Sequence, residues 1–402
     1  MTPPNQDRGE STAQMEPMLL SQDSRHRPEL MDLAMELATR ATGFRASLPP
    51  GLRDALASLV RSMNCYYSNL IEGHDTHPID IERALRKDYS QDAQQRSLQL
   101  EAEAHIGVQA WLDAGGMAHS PASTAALLEI HRRFCEQLPA ELLVVRNPGT
   151  GAELTVVPGA FREQDVQVGR HVAVSPGAVP RFMQRYEQAY AGLGRAEALL
   201  AAAAMHHRLA WIHPFLDGNG RVARLMSHAL MLQHAGSGGV WSVARGLARD
   251  VGRYKELLAN CDLPRRNDLD GRGMLSEEAL AEFTRFFLGT CIDQVAFMER
   301  LMRPAELHAR VQVWTAEQLR MGALPAGSDK LLDAVLFRGE VARGEVPAVL
   351  GMPERTARRV SAALVEAGAL AAESPRAPLR LHLGAALASR WMPNLFPDAP
   401  AT

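Results

Sequence analysis

The sequence predicts a mainly α-helical protein, interrupted once by short hairpins and finished by a helix-turn-helix followed by strands. Three observations predict this. Apolar residues recur at helical spacing over most of residues 29–321. β-prone residues cluster between Leu142 and Val174. After Pro325-Ala326-Gly327-Ser328 the order is helix, helix, turn, helix, strand, strand.

Residues 1–27 are polar with little periodicity and are expected to be disordered. Helices are expected at 29–45 and, after Pro49-Pro50, at 50–71. The second carries Leu52, Leu56, Leu59, Val60, Met63, Tyr67 and Leu70 on one face, and Gly73 suits the residue just past its end. Further helices follow at 78–88, 91–114 and, capped by Ser120, 121–137. Leu143-Val144-Val145, Leu154-Thr155-Val156-Val157 and Val166-Gln167-Val168 fit one or two hairpins, with turns at Asn147-Pro148-Gly149 and Val168-Gly169. Helices resume at 178–192, 196–211 and 221–234, then one containing Tyr254, one opened by Ser276 and one at 304–321. The last region has winged helix-turn-helix order: helices at 329–337, 343–350 and 354–367, then strands around Ser374–Pro378. Arg355, Arg358 and Arg359 stand where a recognition helix carries charge, but Glu354 and Glu366 dilute it. A structural or dimerising role is therefore favoured over DNA binding. The resulting domains are 1–27 (disordered), 28–120 (N-terminal helical region), 121–303 (core), 304–328 (bridging helix and linker) and 329–402 (winged helix).

The composition excludes little. A net charge of −3 over 402 residues gives no global pull toward nucleic acid or membrane. Four cysteines, at 65, 135, 261 and 291, lack CxxC spacing and read as buried thiols of a reducing compartment. No secretory segment and no apolar run of membrane-spanning length is evident, so a cytoplasmic location is expected.

The chemistry concentrates in His213-Pro214-Phe215-Leu216-Asp217-Gly218-Asn219-Gly220-Arg221-Val222-Ala223-Arg224, a loop that opens a helix. Gly218 and Gly220 let backbone approach a ligand, and unpartnered N–H groups at a helix start attract anions. Arg221 and Arg224 lie one turn apart and can fork phosphate oxygens. Asp217 offers a hard oxygen of the kind Mg²⁺ accepts beside phosphates and water, and His213 titrates near neutrality and could act as a base. The stretch is neither a Walker loop nor a Rossmann fingerprint, because no Lys-Ser/Thr follows the glycines and the preceding segment is helical. Taken singly, Gly-Asn-Gly is an ordinary turn, and Glu72, in Ser68-Asn69-Leu70-Ile71-Glu72-Gly73, is a solvated last-turn carboxylate. A calcium loop around Asp268–Glu277 fails because Arg266 falls where a carboxylate is needed. His74, His77, His206 and His207 complete no zinc site and read as surface or packing residues.

Together the loop resembles the Fic family motif, His-x-Phe-x-(Asp/Glu)-Gly-Asn-Gly-(Arg/Lys)-x-x-Arg, at every defined position, and Ser68–Gly73 resembles that family's inhibitory motif, (Ser/Thr)-x-x-x-Glu-(Gly/Asn). The resemblance, to the bacterial single-chain type, covers roughly residues 50–300 plus the tail and implies a Fic-type helical bundle with an N-terminal inhibitory helix, a hairpin flap and a C-terminal winged-helix domain. It implies transfer of AMP from ATP, with Mg²⁺, to a Ser, Thr or Tyr hydroxyl on a target protein or on the chain itself. In that pattern His213 is the base, Asp217 the metal ligand, and Gly218, Asn219, Gly220, Arg221 and Arg224 hold phosphates. Tyr254 lines the nucleotide site, although Lys255 departs from the aromatic pair often found there. Ser68 and Glu72 form the brake, Glu72 pairing with Arg224. Pro158–Arg162 and Val166–Gly169 resemble the flap, so Val166 and Val168 are expected to dock the target; an ordinary surface hairpin reads equally well. Other readings are AMP removal, another nucleotide donor, or a winged-helix transcription regulator with a nucleotide-sensing core.

Overall fold

The computed structural model describes residues 6–74, 76–146 and 151–396. The turn expected at Asn147–Gly149, the first five residues and the last six of the expected C-terminal domain lie outside them.

The helices form one bundle, with helix α1 (Arg27–Ser47) lying along the long helix α12 (Glu277–Leu301). Between them run α2 (Pro50–Glu72), α3 (Pro78–Leu85), α4 (Ala93–Asp113), α5 (Thr124–Cys135), α6 (Val179–Tyr190), α7 (Arg195–Leu200), α8 (Ala202–Ile212), α9 (Asn219–Leu230), α10 (Val243–Arg249) and α11 (Val251–Asn260). Alanines at 202, 203 and 204 let α8 sit in the centre, against α6, α9 and α12. Two antiparallel hairpins, β1 (Val144–Arg146) with β2 (Glu153–Thr155) and β3 (Gln167–Val168) with β4 (His171–Val172), fill the interval between α5 and α6.

Helix α13 (Pro304–Arg320) leads to α14 (Ser328–Arg338), β5 (Glu340–Val341), α15 (Val346–Leu350), α16 (Glu354–Glu366), β6 (Leu370–Ala371), β7 (Leu379–Leu381) and α17 (Ala385–Trp391). The strands form an antiparallel sheet in the order β5-β7-β6, pairing Val341 with Leu379 and Leu370 with Leu381. This unit bears on α2. Arg380 approaches Asp54 at 3.8 Å, and β7 packs on the helix. Beyond α17 the chain returns to the bundle, where Tyr67 donates to the Leu395 carbonyl (2.8 Å) and Phe396 stacks near Tyr67. Arg245 holds the same turn, donating to Leu395 (3.2 Å), Asn394 (2.7 Å) and Gln294 (2.8 Å), with its guanidinium 3.7 Å from the Phe297 ring centre.

Several expectations are corrected. Residues 6–27 are not loose. Met15, Met18 and Leu20 are buried, Glu10 takes both the N–H (2.8 Å) and the hydroxyl (2.6 Å) of Ser175, and Arg8 meets Asp165 at 2.8 Å. A few apolar anchors and distant ionic partners hold a segment whose composition is polar. Helix α5 is capped by Ser123 rather than Ser120, since the Ser123 hydroxyl accepts from the Ala126 N–H (3.2 Å). The helix expected over 196–211 breaks at Ala201, and α9 starts at Asn219. Helices α10 and α17 and strand β5 had no counterpart in the sequence reading. The four cysteines are buried and free, and no helix among the described residues is long and apolar enough to cross a membrane.

Arg245→Ala takes away the donor to the buried Gln294 side chain and the guanidinium bonds to the carbonyls of Asn394 and Leu395, leaving Leu395 only Tyr67. It should lower unfolding stability by about 2–4 kcal/mol, measured by chemical denaturation, whereas replacing the exposed Arg376 should change it by less than about 0.5 kcal/mol.

Candidate functional site

Helix α8 ends at His213, whose φ of 51° turns the chain left-handed, and Gly218, with φ of 80°, turns it back into α9. The loop between them is tied to itself. The Asn219 side chain accepts from the Phe215 N–H (2.9 Å) and donates to the Phe215 carbonyl (2.8 Å). Its amide, expected to face a ligand, shapes the loop, and no side chain caps the N–H groups at the start of α9. Phe215 is fully buried and stacks on His131, ring centres 3.9 Å apart. His131 accepts from the Gly159 N–H (2.9 Å), so the loop, α5 and the hairpin region are joined through one imidazole.

His213 lies at this corner, its Nδ1 3.3 Å from the Ala210 carbonyl. Burial pushes its pKa down to about 4. Asp217 is exposed at the loop tip. Among the described residues no group of three or more His, Cys, Asp or Glu side chains could hold a metal ion by itself.

The two arginines differ. Arg224 is 5% exposed and its fork is occupied. It donates through Nε to the Ser68 hydroxyl (2.8 Å), through Nη2 to the Ser68 carbonyl (3.3 Å), and again through Nη2 to Glu72 Oε1. Glu72, its side chain 35% exposed, is therefore an ion-paired carboxylate and not the free one that its place in the chain suggests. Burial raises its pKa, but the charge and hydrogen bond of Arg224 outweigh that and hold it below the usual carboxylate range. Gly220 makes room: a Cβ there would strike the Glu72 carboxylate. Arg221, 8% exposed, meets Glu101 Oε2 at 3.3 Å and lies over the Phe134 ring at 5.1 Å.

Tyr254 is buried, not open to a groove. Its hydroxyl meets His206 Nε2 at 2.8 Å, and His206 Nδ1 meets the Ser227 hydroxyl at 2.9 Å. Burial raises the phenol to about 12 and lowers His206 to about 3, so this neutral pair backs the Arg224 side of α9. The hairpin β3–β4 stands beside His213, held by His171 Nε2 to the Trp211 carbonyl (2.7 Å), and it leaves Val168 47% exposed and Val166 partly so.

Sequence reading missed the roles of Arg162 and Glu101. Arg162 donates to the carbonyls of His213 (2.7 Å), Gln164 (2.8 Å), Val174 (2.6 Å) and Ile212 (3.4 Å), latching hairpin to loop. Its signal was an arginine beside Phe161 just before the hairpin, but carbonyl partners leave no trace in sequence.

Residues 121–231 match the model of the Fic/DOC family, so the chain contains a domain of that family. The chain is 33% identical over 109 residues to a protein adenylyltransferase Fic of Drosophila erecta, spanning 27% of this chain and 19% of that protein. It is 34% identical over 110 residues to the protein of the same name in Drosophila grimshawi, spanning 27% of this chain and 20% of that protein. The chain thus spans about a fifth of the length of these relatives. The fold is similar to that of a Fic family protein from Desulfovibrio desulfuricans G20, with a TM-score of 0.51 and 18% identity over 90% of this chain and 98% of that one.

Asn219→Ala removes both bonds to Phe215. Hydrogen exchange at the Phe215 amide should speed at least about tenfold while core helices keep their protection; unchanged exchange would show that the loop holds its shape without the clamp.

Proposed function

We propose that this chain is a protein adenylyltransferase, moving AMP from ATP to a Ser, Thr or Tyr hydroxyl of a protein, and that Glu72 restrains it. The observation that carries the reading is one corner of the bundle. There the His213 imidazole, the start of α9 and a buried arginine capped by a carboxylate meet in adjoining turns. The matched relatives named protein adenylyltransferase support it at the level of the domain.

Phosphates of ATP would lie over the start of α9, on the N–H groups of 218–220, with Arg221 on the β- and Arg224 on the γ-phosphate. His213 accepts the hydroxyl proton. The oxygen then bonds to the α-phosphorus in line as the bond to pyrophosphate breaks, and pyrophosphate leaves with its electron pair. Asp217, exposed beside that N-terminus, fits a divalent ion that brings phosphate and water as its other ligands; Mg²⁺ held there would neutralise charge on the phosphates. The outer edge of β3, with Val168 and the preceding Val166, is suited to take a target segment as an added strand, which would hold its hydroxyl near His213. Glu72 occupies the Arg224 donors that a γ-phosphate needs, so ATP must displace it.

The helices and sheet of 328–381 support a winged-helix reading of the last unit. Exposed Arg355, Arg358 and Arg359 on α16 favour DNA binding there, but Arg358 pairs with Glu354, and the unit packs on α2. A structural role is the better fit.

With α-labelled ATP and Mg²⁺, Glu72→Gly should label itself at least about tenfold faster than wild type, and adding His213→Ala should abolish the label while ATP still binds. Label that survives loss of His213 would remove it as the base. The pH profile adds a second check. A depressed histidine pKa favours the neutral form, so kcat/KM for Glu72→Gly should stay level from pH 8 to 6 and fall only on approach to about 4. The same burial stabilises the fold fully above the unfolded pKa of about 6.5 and loses that contribution as pH falls toward 4, so circular dichroism must accompany the acid limb.

A further inference from the structure

We infer that Glu101, in the middle of α4, is a positioning residue that holds Arg221 ready for phosphate. The inference rests on the adenylyltransferase reading and deepens it.

Two carboxylates meet the two arginines, in different ways. Glu72 closes the last turn of α2 beside Gly73, and it takes a hydrogen bond from an arginine whose Nε and Nη2 are also spent on Ser68. Glu101 projects from the interior of a 21-residue helix. Its side chain is 14% exposed and that of Arg221 10%. They stand 3.3 Å apart, yet Glu101 Oε2 accepts no hydrogen bond among the described residues. This is charge compensation without occupation. A guanidinium has five N–H donors, and Arg221 makes one ion pair among the described residues, so most of its donors stay available. Phe134 beneath the guanidinium limits its tilt.

Burial explains why such a partner is needed. An arginine this deeply enclosed requires a nearby negative charge, and a flexible one would not fix the fork. Backbone in the middle of a helix does not fray as a helix end does. Glu101 therefore stays with Arg221 when Glu72 leaves Arg224. His74, two residues past Glu72, has its Nδ1 3.7 Å from the same Glu101 oxygen, so this carboxylate also borders the segment that must move.

The test compares Glu72→Gly with Glu72→Gly/Glu101→Gln, each with and without Arg221→Gln. ATP with Mg²⁺ is titrated calorimetrically, and autolabelling supplies KM and kcat. Glu101→Gln should weaken ATP binding and raise KM about tenfold, with kcat within about twofold. Glu101→Asp should recover part of the loss. With Arg221 already replaced, Glu101→Gln should have no further effect. Tighter binding or faster transfer by Glu101→Gln would make Glu101 a second brake and overturn the inference. So would an equal loss in the Arg221→Gln background, because Glu101 would then act through the fold. If Glu72→Gly binds ATP but transfers nothing, the adenylyl reading fails while calorimetry still decides the role of Glu101; if it binds no ATP, both fail.

Discussion

Arg224 is a charge that the bundle encloses, and much of the surrounding structure answers to it. An enclosed guanidinium must be paired and hydrogen-bonded or the fold is strongly destabilised. Ser68 supplies two acceptors from the last turns of α2, and Glu72 supplies the counter-charge. Gly220 is bare of a side chain where that carboxylate lies. On another side, the neutral His206–Tyr254–Ser227 chain packs against α9 without adding a competing charge. Because Ser68 and Glu72 stand on one helix, the position of α2 and the availability of Arg224 are coupled. On the proposed reading that coupling is the restraint.

A second constraint concerns where the candidate base points. His213 occupies a left-handed turn, and the carbonyls around it would be strained or unsatisfied without donors. Arg162 satisfies them while gripping the hairpin, so the geometry of the imidazole and of the β3 edge are set together. The last unit reaches the same machinery from the other end. Tyr67, which bonds to Leu395, directly precedes Ser68, so contacts at residues 394–396 bear on the helix that carries Glu72.

Much of this was legible in the sequence where the information is local. The apolar face of α2 and Gly73 placed that helix within a residue of its observed bounds, and Ser276 was read as the cap it is. The contiguous loop from His213 to Arg224 displayed its chemistry in one line. What was hidden depends on partners far along the chain. Polar composition concealed the seating of residues 6–27, because Ser175, Asp165 and Glu277 supply what Glu10, Arg8 and Ser21 need. The sequence reading put the cap of α5 at Ser120, and the observed backbone path puts it three residues on, at Ser123. Arg162 and Glu101 look like ordinary charged residues until folding sets one against four carbonyls and the other against Arg221. Asn219 and Tyr254 show the reverse: side chains that the sequence offers to a ligand also make hydrogen bonds within the protein.

The most direct test of the central claim, that Glu72 and a nucleotide compete for Arg224, is a crystal structure of Glu72→Gly with Mg²⁺ and an ATP analogue that cannot be cleaved between the α- and β-phosphates. The account expects the terminal phosphate on Arg224 in the place of the Glu72 carboxylate, and the α-phosphorus facing His213. A nucleotide bound elsewhere, or bound at this loop with Arg224 still directed only to Ser68, would contradict it.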